Sequence, residues 1–82
     1  MSNGKLKTGS ILEITSAKEG LRFGKLKDLD DGKEYLFEMY EDGDKISEED
    51  IQILAEGDLV TYKSEYDDDM EQDIAYVAKL NK

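Results

Sequence analysis

The chain has no cysteine and no histidine. Without cysteine no disulfide staples the fold, and the sequence carries no sign of a redox compartment. Without histidine, the usual zinc ligands and the commonest general base are both missing. Proline is absent too, and no apolar run approaches the roughly 20 residues that a membrane-spanning helix needs. The first residues, MSNGKLKTGS, lack the apolar core of a signal peptide, so the expectation is a soluble, cytoplasmic domain. Ser10, Ser16, Ser47 and Ser64 have no histidine to activate them, and no glycine-rich loop has the spacing of a phosphate cradle. These gaps argue for a binding module over an enzyme, and no cofactor is expected.

What the chain has in excess is acid. Its net charge is −10 over 82 residues, but the charge is unevenly spread. Residues 1–27 hold six basic groups (Lys5, Lys7, Lys18, Arg22, Lys25 and Lys27) against Glu13 and Glu19, whereas residues 28–82 hold five bases and nineteen acids. An acidic chain repels phosphate, so nucleic-acid binding requires the cations of the first third to gather on one face. Otherwise the acids serve as a solvated surface that keeps a small domain soluble. Residues 1–82 are one domain, and at this size only about 60–65% of the unfolded surface is buried, so the core is modest.

The local patterns are those of short strands. Residues 1–7 are polar and expected to fray. In TGSILEIT, Thr8 to Thr15, the core candidates Ile11 and Ile14 are an odd step apart, which predicts a bulge or bend between them. Gly9 suits a close approach of backbones. Ser16 to Gly20 reads as a loop. Leu21 to Lys27 then alternates Gly24 and Leu26 on one face with Phe23, Lys25 and Lys27 on the other. The acidic turn Asp30-Asp31-Gly32 joins this basic strand to an apolar one, Glu34 to Met39, with Tyr35 and Phe37 facing opposite to Leu36 and Glu38. Ser47-Glu48-Glu49-Asp50 resembles a capping box opening one helical turn, a lid for one end of a barrel. Glu56-Gly57-Asp58 is a turn into a strand from Leu59 to Tyr66. After an acidic loop from Asp67 to Asp73, the last strand sets Ala75, Val77 and Lys79 against Tyr76, Ala78 and Leu80. Five short strands without a long helix predict a small all-β barrel, whose closure also removes exposed strand edges.

Four pieces resemble the cold-shock domain family: Gly9-Ser10-Ile11; Phe23-Gly24-Lys25-Leu26, similar to the first RNP motif; Tyr35-Leu36-Phe37-Glu38-Met39, similar to the second; and Glu56-Gly57-Asp58-Leu59-Val60-Thr61-Tyr62 with Ala75-Tyr76-Val77. The likeness runs from about Gly9 to Leu80. It implies a five-stranded OB-fold barrel that binds single-stranded RNA or DNA on the face of its first three strands. Most platform aromatics are replaced: Glu13 stands where a tryptophan is usual, Lys25, Leu36 and Met39 stand for aromatic rings, and Glu38 for a histidine. A register matching Leu21 and Phe23 instead would turn Arg22 and Gly24 inward, and burying Arg22 without a partner is costly, so the first register is preferred.

The leading expectation is therefore weak, salt-dependent binding of single strands, with Phe23 stacking on bases and Lys7, Lys25 and Lys27 contacting phosphate. The alternative is a protein-interaction domain that has lost this platform. In that case Leu36 and Met39 form the contact, and the acidic later half faces a basic protein or mimics nucleic acid. Asp67-Asp68-Asp69 with Glu71 and Asp73 lacks the spacing of an EF-hand loop and reads as solvated, so no metal is expected.

Overall fold

The computed structural model describes residues 5–18, 21–41 and 46–81. Five strands, β1 (Lys7–Lys18), β2 (Leu21–Asp28), β3 (Glu34–Tyr40), β4 (Leu59–Asp67) and β5 (Gln72–Asn81), and one helix, α1 (Glu48–Ile53), make up its regular structure. The strands close a barrel in the order β1-β2-β3-β5-β4, with β4 returning to β1. All pairings are antiparallel except β3 with β5, where Leu36, Phe37 and Glu38 lie beside Ile74, Ala75 and Tyr76. This is the expected all-β, OB-fold-like barrel, with a helix between its third and fourth strands. Among the described residues no helix is long and apolar enough to cross a membrane.

Alternation decides what faces inward. Gly24, Leu26 and Asp28 of β2 are buried between exposed Lys25 and Lys27, and Phe37 and Met39 of β3 are buried beside them. The core gathers these with Ile11, Val60, Tyr62, Ala75 and Val77. β1 departs from strict alternation as its isoleucine spacing predicts. Its register with β2 slips between Ile11 and Glu13 and again between Ile14 and Ser16, leaving Leu12 and Thr15 as the extra residues. Two bulges in one strand give the bend that lets β1 pair with β2 along its length and with β4 at its start.

Several boundaries differ from the sequence expectation. β1 runs on to Lys18, so the strand includes most of the stretch read as a loop, and the rest of that loop lies outside the described residues. Lys7, expected to fray, opens β1 opposite Tyr62, while residues 1–4 are outside the described part. β5 begins at Gln72, ahead of the expected Ala75. Leu80 shares the core with Val77 instead of opposing it, because the β4–β5 register slips between Thr61 and Tyr62 and Ala78 is the extra residue.

At one end of the barrel, the Ser47 hydroxyl accepts from the Asp50 backbone N–H at 3.2 Å, and the Asp50 carboxylate accepts from the Ser47 N–H at 3.4 Å. This is the reciprocal cap that the sequence signals, and it seats Ile51 in the core between Ile46 and Leu54.

Gly24 is where the barrel is tightest. A Cβ there would collide with the carbonyl of Glu13, across the bulged part of β1, and would sit 2.8 Å from the Phe37 ring. Backbone cannot yield as a side-chain tip can. Gly24→Ala is expected to cost about 3 kcal/mol, the upper end for overpacking, and to lower Tm by more than about 10 °C. Gly9→Ala, whose nearest neighbour is the side-chain tip of Leu26, Cδ1 at 2.9 Å, should cost less. Thermal melts of the two variants check the order, and equal losses would refute it.

Candidate ligand-binding face

The outward residues of β2, β3 and β5 form one continuous face because the strands are neighbours in register. Glu13, Lys25, Leu36, Ile74 and Glu65 lie in one row across the strands, and Phe23, Glu38, Tyr76 and Lys63 in the next. Between these rows lies a groove of about 260 Å³, lined by Thr15, Phe23, Leu36, Glu38, Met70 and Ile74, with Gly24 and Phe37 behind them. Thr15 reaches it as the second bulge residue of β1. Ile74 is only 2% exposed yet stands outside the main core, so it acts as the groove's floor.

Met70 is brought to the groove by the turn between β4 and β5. The Asp67 carboxylate accepts from the backbone N–H groups of Asp69, at 2.8 Å, and Met70, at 3.2 Å. Glu71 then reverses the chain in the left-handed region, at φ 56°, with its N–H donating to the Asp67 carbonyl at 2.8 Å. A non-glycine residue rarely takes this conformation, so the turn holds backbone strain while presenting an apolar side chain half exposed.

The face is electrostatically mixed. Lys25 and Lys27 are exposed, and no ion pair among the described residues engages them, but each has a glutamate in register on a neighbouring strand: Glu13 beside Lys25 and Glu34 beside Lys27. Glu38 lies beside Phe23. The Tyr76 phenol is held above its ordinary pKa, first by burial and then by the negative charges of Glu38, Asp67 and Glu65. The field over β5 is therefore negative.

Of the residues expected to form a nucleic-acid site, Phe23, Lys25 and Lys27 share this face, whereas Lys7 is elsewhere. Its ammonium lies 3.3 Å from Asp28 and 3.4 Å from Asp31, and 6.0 Å from the centre of the Tyr35 ring. Burial lowers the Lys7 pKa, but the hydrogen bond and charge of Asp28 outweigh this and raise it. Asp28 is five positions along β2 from Phe23, about 17 Å at ~3.3 Å per residue, so Lys7 is a structural cation at the other end of the strand.

The expected exposed pair of Leu36 and Met39 is also corrected. Leu36 is half-buried at the groove, but Met39 is fully buried in the core. Three residues apart on a strand, the two point to opposite faces. Sequence reasoning missed Met70 and Ile74. Continuing the two-residue period back from Tyr76 would have placed Ile74 on the outer face, but the parallel β3–β5 contact that makes it a floor leaves no local signal. Among the described residues no three carboxylates converge to hold a metal ion. Compared with family models, curated proteins and solved structures, the chain matches none.

Proposed function

We propose that the chain is a binding module that receives a segment of a partner protein on the outer face of β2, β3 and β5. The observation that carries this reading is the groove, where Phe23 is the one partly exposed aromatic ring, since Phe37 behind it is buried in the core, and is joined by three aliphatic or thioether side chains, Leu36, Met70 and Ile74. Aliphatic walls take up a partner's apolar side chain, worth about 1.5–3 kcal/mol when fully buried. They offer no π-face to a base, and stacking at about 1–3 kcal/mol per base is the main source of sequence-tolerant single-strand affinity. Glutamates beside Phe23, Lys25 and Lys27 further weaken attraction to phosphate.

Selection of a random peptide library on the whole chain tests the reading. Peptides enriched on the native protein should lose at least about tenfold in affinity for Leu36→Asp, equivalent to about 1.4 kcal/mol. Leu36 is half-buried, so that variant should keep a dispersed amide spectrum. Enriched peptides that bind the variant equally well would overturn the assignment of the groove.

The cold-shock resemblance supports a second reading, weak binding of single-stranded RNA or DNA. Lys25 and Lys27, exposed on the same face as Phe23 and in no ion pair among the described residues, favour it. Under this reading, oligo-T and oligo-U shift the amides of β2 and β3 at low salt, and Phe23→Ala with Lys25→Glu abolishes the shifts. No shifts even at low salt would remove it.

A further inference from the structure

We infer that the groove's occupant is a basic segment of a partner protein, with one apolar side chain in the groove and flanking lysines or arginines against its acidic rim. The inference rests on the protein-segment reading above and adds the partner's chemistry. It starts from the charge around an otherwise apolar site. Glu38 lines the groove, Glu65 lies in register with its floor residue Ile74, and Glu13 is in the same row beyond Lys25. Met70 sits in the segment from Glu65 to Asp73, where six of nine residues are acids and none is basic.

Of the ammonium groups on the face, two stand in the rows that border the groove. Lys63 is 3.3 Å from Glu65, and Lys25 has Glu13 in register. Neither offsets Asp67, Asp68, Asp69 and Glu71, which flank Met70 on the turn. The negative charges of Glu38, Asp67 and Glu65 raise the Tyr76 pKa beyond the effect of burial. An acidic partner or a phosphate backbone would be repelled on reaching the Met70 side of the groove. A segment with basic residues on both sides of an apolar one would instead be drawn in and oriented by the rim while the groove holds its anchor. Phe23, Leu36, Glu38 and Ile74 stand on β2, β3 and β5, each of which has a strand on both sides in the barrel, so recognition at the groove falls to side chains.

The test uses the whole chain, isotope-labelled, titrated with Lys-Lys-Leu-Leu-Lys-Lys, with Glu-Glu-Leu-Leu-Glu-Glu, with Lys-Lys-Gly-Gly-Lys-Lys and with oligo-T. The basic leucine peptide should shift the amides of Phe23, Leu36, Glu38, Met70 and Ile74. Its affinity should fall about tenfold or more between about 20 mM and about 300 mM salt. The acidic peptide should give no shifts, and the glycine peptide should bind at least about tenfold more weakly than the leucine one, the equivalent of one lost anchor. Asp68→Lys with Asp69→Lys, on an exposed turn, should weaken the basic peptide about tenfold, and Met70→Ser should do so without changing the salt dependence.

If the acidic peptide binds as well as the basic one, or if salt has no effect, the basic partner is wrong while the groove reading stands. If the basic leucine peptide shifts these amides equally in Leu36→Asp and in Met70→Ser, the groove itself is wrong. Shifts of the same amides by oligo-T, stronger than those by any peptide, would overturn both in favour of nucleic acid.

Discussion

Asp28→Ala is expected to cost about 3–5 kcal/mol, a large part of the roughly 4–12 kcal/mol available to a domain of 82 residues. Asp28 is 1% exposed and is a buried charge at the end of β2, where the chain turns into β3. One of its oxygens accepts from the Tyr62 phenol at 2.5 Å and lies 3.3 Å from the Lys7 ammonium. The other accepts from the backbone N–H groups of Asp30 at 2.8 Å and Asp31 at 3.0 Å. Four donors therefore meet one carboxylate. Alanine leaves the fully buried Tyr62 without its acceptor, leaves Lys7 with Asp31 alone, and removes the brace of the β2–β3 turn. Tyr62→Phe removes one of these contacts and should cost about 1.5–3 kcal/mol. In a double-mutant cycle read by urea unfolding, the two losses should be strongly non-additive. An Asp28→Ala protein within about 1 kcal/mol of the native chain would refute the account.

The same carboxylate sets an acid limit. Burial pushes its pKa up, but hydrogen bonds from Tyr62, the Asp31 and Asp30 N–H groups and Lys7 outweigh this and hold it at about 2, against 3.8 in the unfolded chain. A folded pKa below the unfolded one means stability that is complete above about pH 4 and drains away as pH falls through about 2. The contribution is about 2 kcal/mol. Protonating the surface acids works in the opposite direction, because it relieves self-repulsion in a chain of net charge −10. The difference between the native protein and Asp28→Asn isolates the effect. It should shrink between pH 5 and pH 2 by about 2 kcal/mol, and a constant difference would rule it out.

Asp28 also shows what was legible in the sequence and what was not. Period-two alternation placed Gly24 and Leu26 inward and Lys25 and Lys27 outward, and the odd Ile11–Ile14 step announced the bend of β1. Ser47 and Asp50 announced their own cap. All of these depend on neighbours in sequence. Asp28 looks like one more member of an acidic turn until Tyr62 is known to lie against it, 34 positions later. Ile74 and Met70 are invisible as groove residues for the same reason, because β5 meets β3 in parallel only after the barrel closes. The fold was carried by local pattern, whereas the buried ion network and the groove are carried by register between distant strands.

Met39→Asp is expected to unfold the protein at neutral pH, whereas Leu36→Asp, three residues earlier on the same strand, leaves it folded. Met39 is 0% exposed and packs in the core beside Phe37. Replacing it removes about 1.5–3 kcal/mol of apolar burial and places a carboxylate among the apolar side chains of the core, where its charge is desolvated. Such a group stays in the core only by remaining protonated. A pKa raised by about 3 units adds a further ~4 kcal/mol at neutral pH, and the sum exceeds what a small barrel can spare. At Leu36 the new carboxylate reaches water at the lip of the groove and loses little. The pH dependence is opposite to that of Asp28. A folded pKa raised above the unfolded one leaves its stability intact at low pH and removes it as pH rises. Met39→Asp should therefore regain structure near pH 4, where its own carboxyl is neutral in the core and Asp28, held at about 2, is still ionised. Circular dichroism of both variants at pH 7 and pH 4 decides the matter, and a folded Met39→Asp at pH 7 would return Met39 to the outer face.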